Sequence, residues 1–244
     1  MNATPLIGWV VDVQHDFMDP AGRLYVHDLF DTADTGAVGA RPAIVRTVAW
    51  MRAHCDVIVF TGDWHRLGDR EIDPVAPDAM KGTYPPHCMG LSPDPAERAG
   101  AELIPEVAPG ESEVLTLPRD AGADTGRMIA RQAAGERRPV FIQKHEFSVF
   151  EGNAATDPFL VELVRQLGAS PEFVVCGVAT DVCVRHAVEG LLDRSARVRI
   201  VEDATWGLGL LGPDATWDAW RGRGATITTT TLLNAAAADA SSAG

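Results

Sequence analysis

The 244-residue chain has no apolar run near the roughly 20 residues a bilayer-crossing helix needs. Its first residues, MNATPLIGWVVDVQ, carry no Lys or Arg ahead of the apolar stretch, and Asp12 interrupts that stretch early. Neither an export signal nor a membrane anchor is therefore expected, and a cytoplasmic protein is. Cysteine is sparse: Cys55, Cys88, Cys176 and Cys183 are too few and too scattered for a disulfide framework and read as reduced thiols. Positive charge is short as well, with 21 Lys and Arg against 34 Asp and Glu and a net charge of −13. Such a chain repels phosphate backbones and anionic lipid, so neither a nucleic acid nor a membrane is expected as a partner. A small neutral or anionic substrate in a local positive pocket remains compatible with it. There is no internal repeat or strong linker, and no phosphate-binding loop is expected among the glycines.

What is present is an ordinary globular composition, 46% hydrophobic and 23% charged, sufficient for a buried core in one or at most two domains. Short apolar runs at 6–13, 56–63, 139–144, 172–179 and 198–203 read as strands, and 225–231 as a sixth, more exposed one. Between them, helical spacing marks 42–53 (Ile44, Val45, Val48, Met51, with Pro42 in the first turn) and 157–167 (Phe159, Leu160, Leu163, Val164, Leu167). Residues 183–193 and 213–222 also read as helical. This alternation predicts an α/β fold in three layers, a six-stranded parallel sheet flanked by helices on both faces. We expect a single domain over 1–234, a loop-rich insert at 66–137 bordering any pocket, and a flexible tail at 235–244.

Ligands of such sheets sit at the carboxyl ends of the strands, so the residues just after each apolar run are the candidates. Cys183 follows a strand and a turn and opens a helix, where backbone N–H groups and the helix dipole favour a thiolate. A small buried hydrophobe is the bland alternative. Lys144 ends a strand, either as a solvated edge residue or as a buried cation holding an anion. Asp12 ends an apolar strand, as a cap or as a paired carboxylate, since burial without a partner is costly. Together an acid, a cation and a thiol suit nucleophilic catalysis. Asp63 and His65, two apart in an extended segment, project to one side. With His87 they form either a two-histidine, one-carboxylate metal set or a hydrogen-bonded Asp–His arrangement.

The segments VVDVQHDF, TGDWH, YPPHC, K-x-x-F-S-x-F and GVATDVCV occur in one order from about residue 6 to 231. In that order they resemble the isochorismatase-like cysteine hydrolases, and most closely their nicotinamidase branch. The resemblance implies a Rossmann-like six-stranded sheet, with Cys183 as nucleophile, Asp12 as general base and Lys144 as third member of a triad. It implies an oxyanion hole from the N–H groups of Ala179 and Cys183, with a cis peptide between Val178 and Ala179. Phe17 and Tyr84 match ring-flanking aromatic positions, Tyr84 standing where tryptophan is common. Asp63, His65 and His87 match the ligands of one divalent metal ion, zinc first, with iron or manganese as alternatives. The further histidine of some relatives is absent after DWH, and Glu71 or Asp69 is the candidate for its place. LSPDPAERA, after HCMG, is an insertion that bears on the substrate. The implied activity is hydrolysis of nicotinamide, or of another small amide such as a maleamate, ureidoacrylate or carbamoyl compound, by a homo-oligomer. A hydrolytic metal centre and a catalytically silent binder are the other readings.

Overall fold

The computed structural model describes residues 4–235. Along the chain run β1 (Leu6–Val11), α1 (His15–Met18), α2 (Arg41–His54), β2 (Val57–Asp63), α3 (Pro95–Arg98), β3 (Leu115–Leu117), α4 (Ala123–Glu136) and β4 (Val140–Lys144). They are followed by α5 (Val149–Gly152), α6 (Thr156–Leu167), β5 (Glu172–Val178), α7 (Cys183–Asp193), β6 (Arg197–Trp206), α8 (Pro213–Gly222) and β7 (Thr226–Thr228). The strands form one sheet in the order β3-β4-β2-β1-β5-β6-β7, and every pairing is parallel.

The central strands are apolar because both their faces are covered. Gly8 of β1 faces Met51 of α2 so closely that a side chain there would collide with it. The next residue, Trp9, points to the other face, stacking on Phe150 of α5 and meeting Phe173 edge-on. Successive strand residues face opposite sides, so α2 and α5 lie on opposite faces. Beside α5 pack α6 and α7, and α4 packs on α6.

The sheet has seven strands rather than the expected six, because the 66–137 insert contributes β3 and the long helix α4. β3 is only three residues long, alternately buried, exposed and buried, as an edge strand is. The buried face of α4 consists of Gly126, Ile129, Ala130 and Ala133, and with Ile129 as its one large apolar residue it gives little apolar contrast in the sequence. The last strand is shorter than expected. Asp203 accepts hydrogen bonds from the backbone N–H (2.8 Å) and hydroxyl of Thr230, and residues 230–235 are helical. The expected tail lies, beyond Ala235, outside the described residues.

At the end of β5 Gly177 has φ +124°, and a Cβ there would strike the main chain of Val11, so the position requires glycine. The pairing of β5 with β6 shifts register at this point. The Val178–Ala179 peptide is cis, as the resemblance implies. Among the described residues no helix is long and apolar enough to cross a membrane.

Candidate active site

The four adjacent strands β4, β2, β1 and β5 end at Lys144, Asp63, Asp12 and the turn to Cys183, respectively. The sheet order thus brings together side chains that the sequence separates by up to 171 positions, 183 − 12. Asp12 itself has a left-handed backbone, φ 51°. The Lys144 ammonium lies 3.0 Å from Asp12 Oδ2, donates to Cys183 Sγ at 3.6 Å, and also pairs with Asp63 Oδ1. Thr61 donates its hydroxyl to Asp12 Oδ1 at 2.6 Å. Side-chain ligand atoms of Asp12, Asp63 and Cys183 lie within 4.8 Å of one another. All four groups are buried, Lys144 and Asp12 almost completely.

Burial sets the electrostatics. It would lower the Lys144 pKa, but Asp12 and Asp63 hold that ammonium well above its ordinary range. Burial pushes the Asp12 carboxyl up, against the opposing pull of Lys144. It also pushes the Cys183 thiol well up, again with Lys144 opposing. Burial thus opposes the thiolate that the helix N-terminus is expected to favour, while Lys144 supports it.

Asp63 divides its two oxygens. Oδ1 meets Lys144, while Oδ2 lies 3.7 Å from Nε2 of both His65 and His87. Burial would raise this carboxyl, but Lys144 and the two imidazoles bring it well below the usual range. Each imidazole is held through its other nitrogen: His65 Nδ1 is 3.2 Å from Asp69 Oδ2, and His87 Nδ1 is 2.8 Å from the Pro85 carbonyl oxygen. Both rings therefore turn Nε2 toward the same space. His65 Nε2 and Glu71 Oε2, 3.9 Å apart, are buried with no hydrogen-bond partner among the described residues. Orphaned buried donors and acceptors are costly. Two imidazole nitrogens and one or two carboxylates converging on one point fit a divalent ion. Of the two candidates for a further ligand, Glu71 faces this space. Burial and the nearby Asp63 push its carboxyl up to about 9. Asp69 instead lies behind His65, bound to Arg119.

Phe17 and Tyr84 line a cleft above Cys183 together with His87 and Ala179. Sequence reasoning did not single out the rest of its wall, which includes Leu24, Val26, Phe147 and Leu208. Phe147 was in view as the first aromatic of K-x-x-F-S-x-F; its ring meets Tyr84 edge-on at 5.9 Å. At the floor, the N–H groups of Thr180, Val182 and Val184 donate to carbonyls, whereas those of Ala179 and Cys183 donate to none among the described residues.

Several supporting residues also went unassigned. The Gln14 amide clamps Asp63, accepting from its N–H and donating to its carbonyl, both at 2.8 Å. Asp16 accepts from the Cys88 N–H at 2.7 Å and so ties down the turn carrying His87. Both lie in VVDVQHDF. The run Gly207 to Gly212 has the spacing G-x-G-x-x-G, but it is no phosphate loop. The N–H groups of Leu208 and Leu210 are taken by the buried Asp181 carboxylate, at 2.9 and 2.7 Å.

Residues 6–231 match the Isochorismatase domain, and the chain belongs to the isochorismatase family. Among curated relatives it is similar to the nicotinamidase/pyrazinamidase of Mycobacterium tuberculosis (strain ATCC 25618 / H37Rv), 27% identical over 208 residues, covering 82% of this chain and 85% of that one. In fold it is similar to the pyrazinamidase of Pyrococcus horikoshii in complex with zinc (TM-score 0.58, 23% identity, covering 92% and 98% of the two chains). It is also similar to N-carbamoylsarcosine amidase from Thermoplasma acidophilum (TM-score 0.59, 23% identity, covering 93% and 96%).

Proposed function

We propose that this chain is a metal-containing cysteine amidohydrolase that converts nicotinamide to nicotinate and ammonia. The observation that carries the chemistry is the single buried ammonium of Lys144 in reach of Asp12, Asp63 and Cys183. The curated nicotinamidase relative and the metal-ligand set beside the thiol favour the pyridine carboxamide.

In this reading Asp12 takes the Cys183 proton as Sγ attacks the amide carbon. Lys144 keeps Asp12 ionised for that step. The carbonyl electron pair moves to oxygen, where the N–H groups of Ala179 and Cys183 receive it. Asp12 then passes the proton to the amide nitrogen, the C–N bond breaks, and ammonia leaves a thioester behind. Water, deprotonated by Asp12, attacks the thioester carbon; nicotinate departs and the thiol regains its proton. Phe17, Tyr84 and Phe147 flank the ring. Asp63, His65 and His87, faced by Glu71, would hold a divalent ion, zinc first, which supplies a Lewis-acid anchor for the pyridine nitrogen and so orients the ring.

The test is ammonia release from a panel of nicotinamide, pyrazinamide, maleamate, a ureidoacrylate and N-carbamoylsarcosine, with thiols reduced and metal supplied. Nicotinamide is expected to be turned over with the highest kcat/KM. Turnover of another amide with nicotinamide inert would replace this substrate; silence across the panel would remove the enzyme reading. Removing the metal with a chelator is expected to weaken nicotinamide binding at least tenfold while the chain stays folded. Isothermal titration beside a circular-dichroism spectrum checks this, and unchanged affinity after verified metal loss would contradict the proposed anchor.

A further inference from the structure

The geometry points to Arg119 as a positioning residue for the metal site, acting through Asp69 on His65. This rests on the metal reading above and adds a role outside its ligand set. Arg119 follows β3, the strand contributed by the insert, and its side chain is almost wholly buried. Its position is fixed from behind, since Asn153 donates to the carbonyl of the preceding Pro118 at 2.9 Å. The guanidinium grips Asp69 with a two-pronged contact, Nη1 to Oδ2 at 2.7 Å and Nη2 to Oδ1 at 3.0 Å. Such a fork fixes the plane of a carboxylate as a lone ammonium does not. The same Oδ2 accepts from the Arg66 N–H at 3.1 Å and faces His65 Nδ1 at 3.2 Å.

The chain Arg119–Asp69–His65 thus ends in Nε2 directed at the space shared with Asp63, His87 and Glu71. A carboxylate behind a ligating histidine fixes its tautomer and ring orientation and raises its basicity. Charge makes Arg119 necessary. His65 has Asp69 on one side and Asp63 and Glu71 on the other. Without the guanidinium, Asp69 would be an unpaired buried carboxylate behind the imidazole, whereas Asp63 keeps Lys144 as its partner. With it, Asp69 is paired in place and held against His65 Nδ1. A bland role is also visible, because Nη1 donates to the Trp64 carbonyl at 2.6 Å and so pins the turn carrying His65.

The experiment separates the two roles. Native chain, Arg119→Met and Asp69→Asn are titrated with Zn(II) against a chromophoric chelator, and their Co(II) forms are recorded in the visible region. Each variant is expected to bind zinc about 10–100-fold more weakly and to show an altered Co(II) ligand-field spectrum. The double variant is expected to be no worse than the weaker single one, because both lie on one path. Should Arg119→Met not fold, Asp69→Asn carries the test alone. Lower melting temperatures with native zinc affinity and a native Co(II) spectrum would reduce Arg119 to a turn-pinning role and overturn the inference. No metal binding by the native chain would overturn the metal reading and this inference with it. Native metal binding unchanged in the variants would overturn the inference alone.

Discussion

Cys183→Ala is expected to lower amide turnover by about 10⁴-fold or more while leaving nicotinamide binding within a few-fold of native. The thiol stands at the floor of the cleft between Lys144 and the N–H groups of Ala179 and Cys183, which donate to no carbonyl among the described residues, and its removal takes away the atom proposed to form the thioester. Nothing else nearby replaces it: Asp12 is held by Thr61 and Lys144, and Cys88 faces the carbonyl of Gly100 at 3.7 Å. Binding survives because Phe17, Tyr84, His87 and Phe147 form walls that do not depend on sulfur. The same variant tests the main rival mechanism. Were Asp63, His65 and His87 to hold an ion that activates water directly, the alanine variant would retain most of its kcat. Single-turnover ammonia release beside a binding isotherm separates the two. Retained kcat would remove the thioester route, and lost binding would mean that the side chain shapes the cleft.

The elements easiest to read were those whose environment is uniform. β1, β2 and β5 are buried on both faces, so their runs LIGWVV, VIVFTGD and EFVVCGV announce themselves without any partner being known. β3 and α4 carry no such mark, because three residues at a sheet edge and a face of Gly and Ala with one Ile have little hydrophobic contrast. In the site, the residues proposed to act directly fall where strands end, and the parallel sheet then gathers them. Lys144 carried a further signal that went unused: it is one of only two lysines in a chain whose other cations are arginine, and Lys81 is exposed. What the sequence could not show was depth. The choice between Glu71 and Asp69 turned on which carboxylate faces His65 Nε2 and which faces Nδ1, a matter of loop geometry between β2 and β3. The burial of the Cys183 sulfur, which opposes its ionisation, is likewise not disclosed by a helix N-terminus. Gln14 and Asp16 stood inside a quoted motif, yet their work is done on the backbone of Asp63 and Cys88, partners 49 and 72 residues away.

Lys144→Met is expected to abolish turnover and to destabilise the fold by about 3–5 kcal/mol, the cost of removing one partner from a buried ion group. The ammonium is within pairing distance of two carboxylates, Asp12 and Asp63, that are themselves buried and close to each other. Methionine fills the volume without the charge and leaves those carboxylates facing one another. Two like charges at that distance do not both stay ionised, so the pair retains a proton at neutral pH. If the proton rests on Asp12, the base for Cys183 is lost; if it rests on Asp63, that carboxylate becomes a weaker metal ligand. Either outcome takes away a group the reaction depends on, and in both the ammonium facing Cys183 Sγ is lost, which is why the effect exceeds that of losing one hydrogen bond. Lys144→Arg is expected not to restore activity, since a planar guanidinium does not fit a site built around one compact ammonium facing two oxygens and a sulfur. The measurements are kcat for ammonia release, the urea midpoint of unfolding, and bound metal per chain. The predicted pattern is loss of the first, a lowered second, and a third that falls or holds with the proton's location. A variant retaining turnover within a few-fold of native would show that the charge on Lys144 is dispensable, and the triad with it.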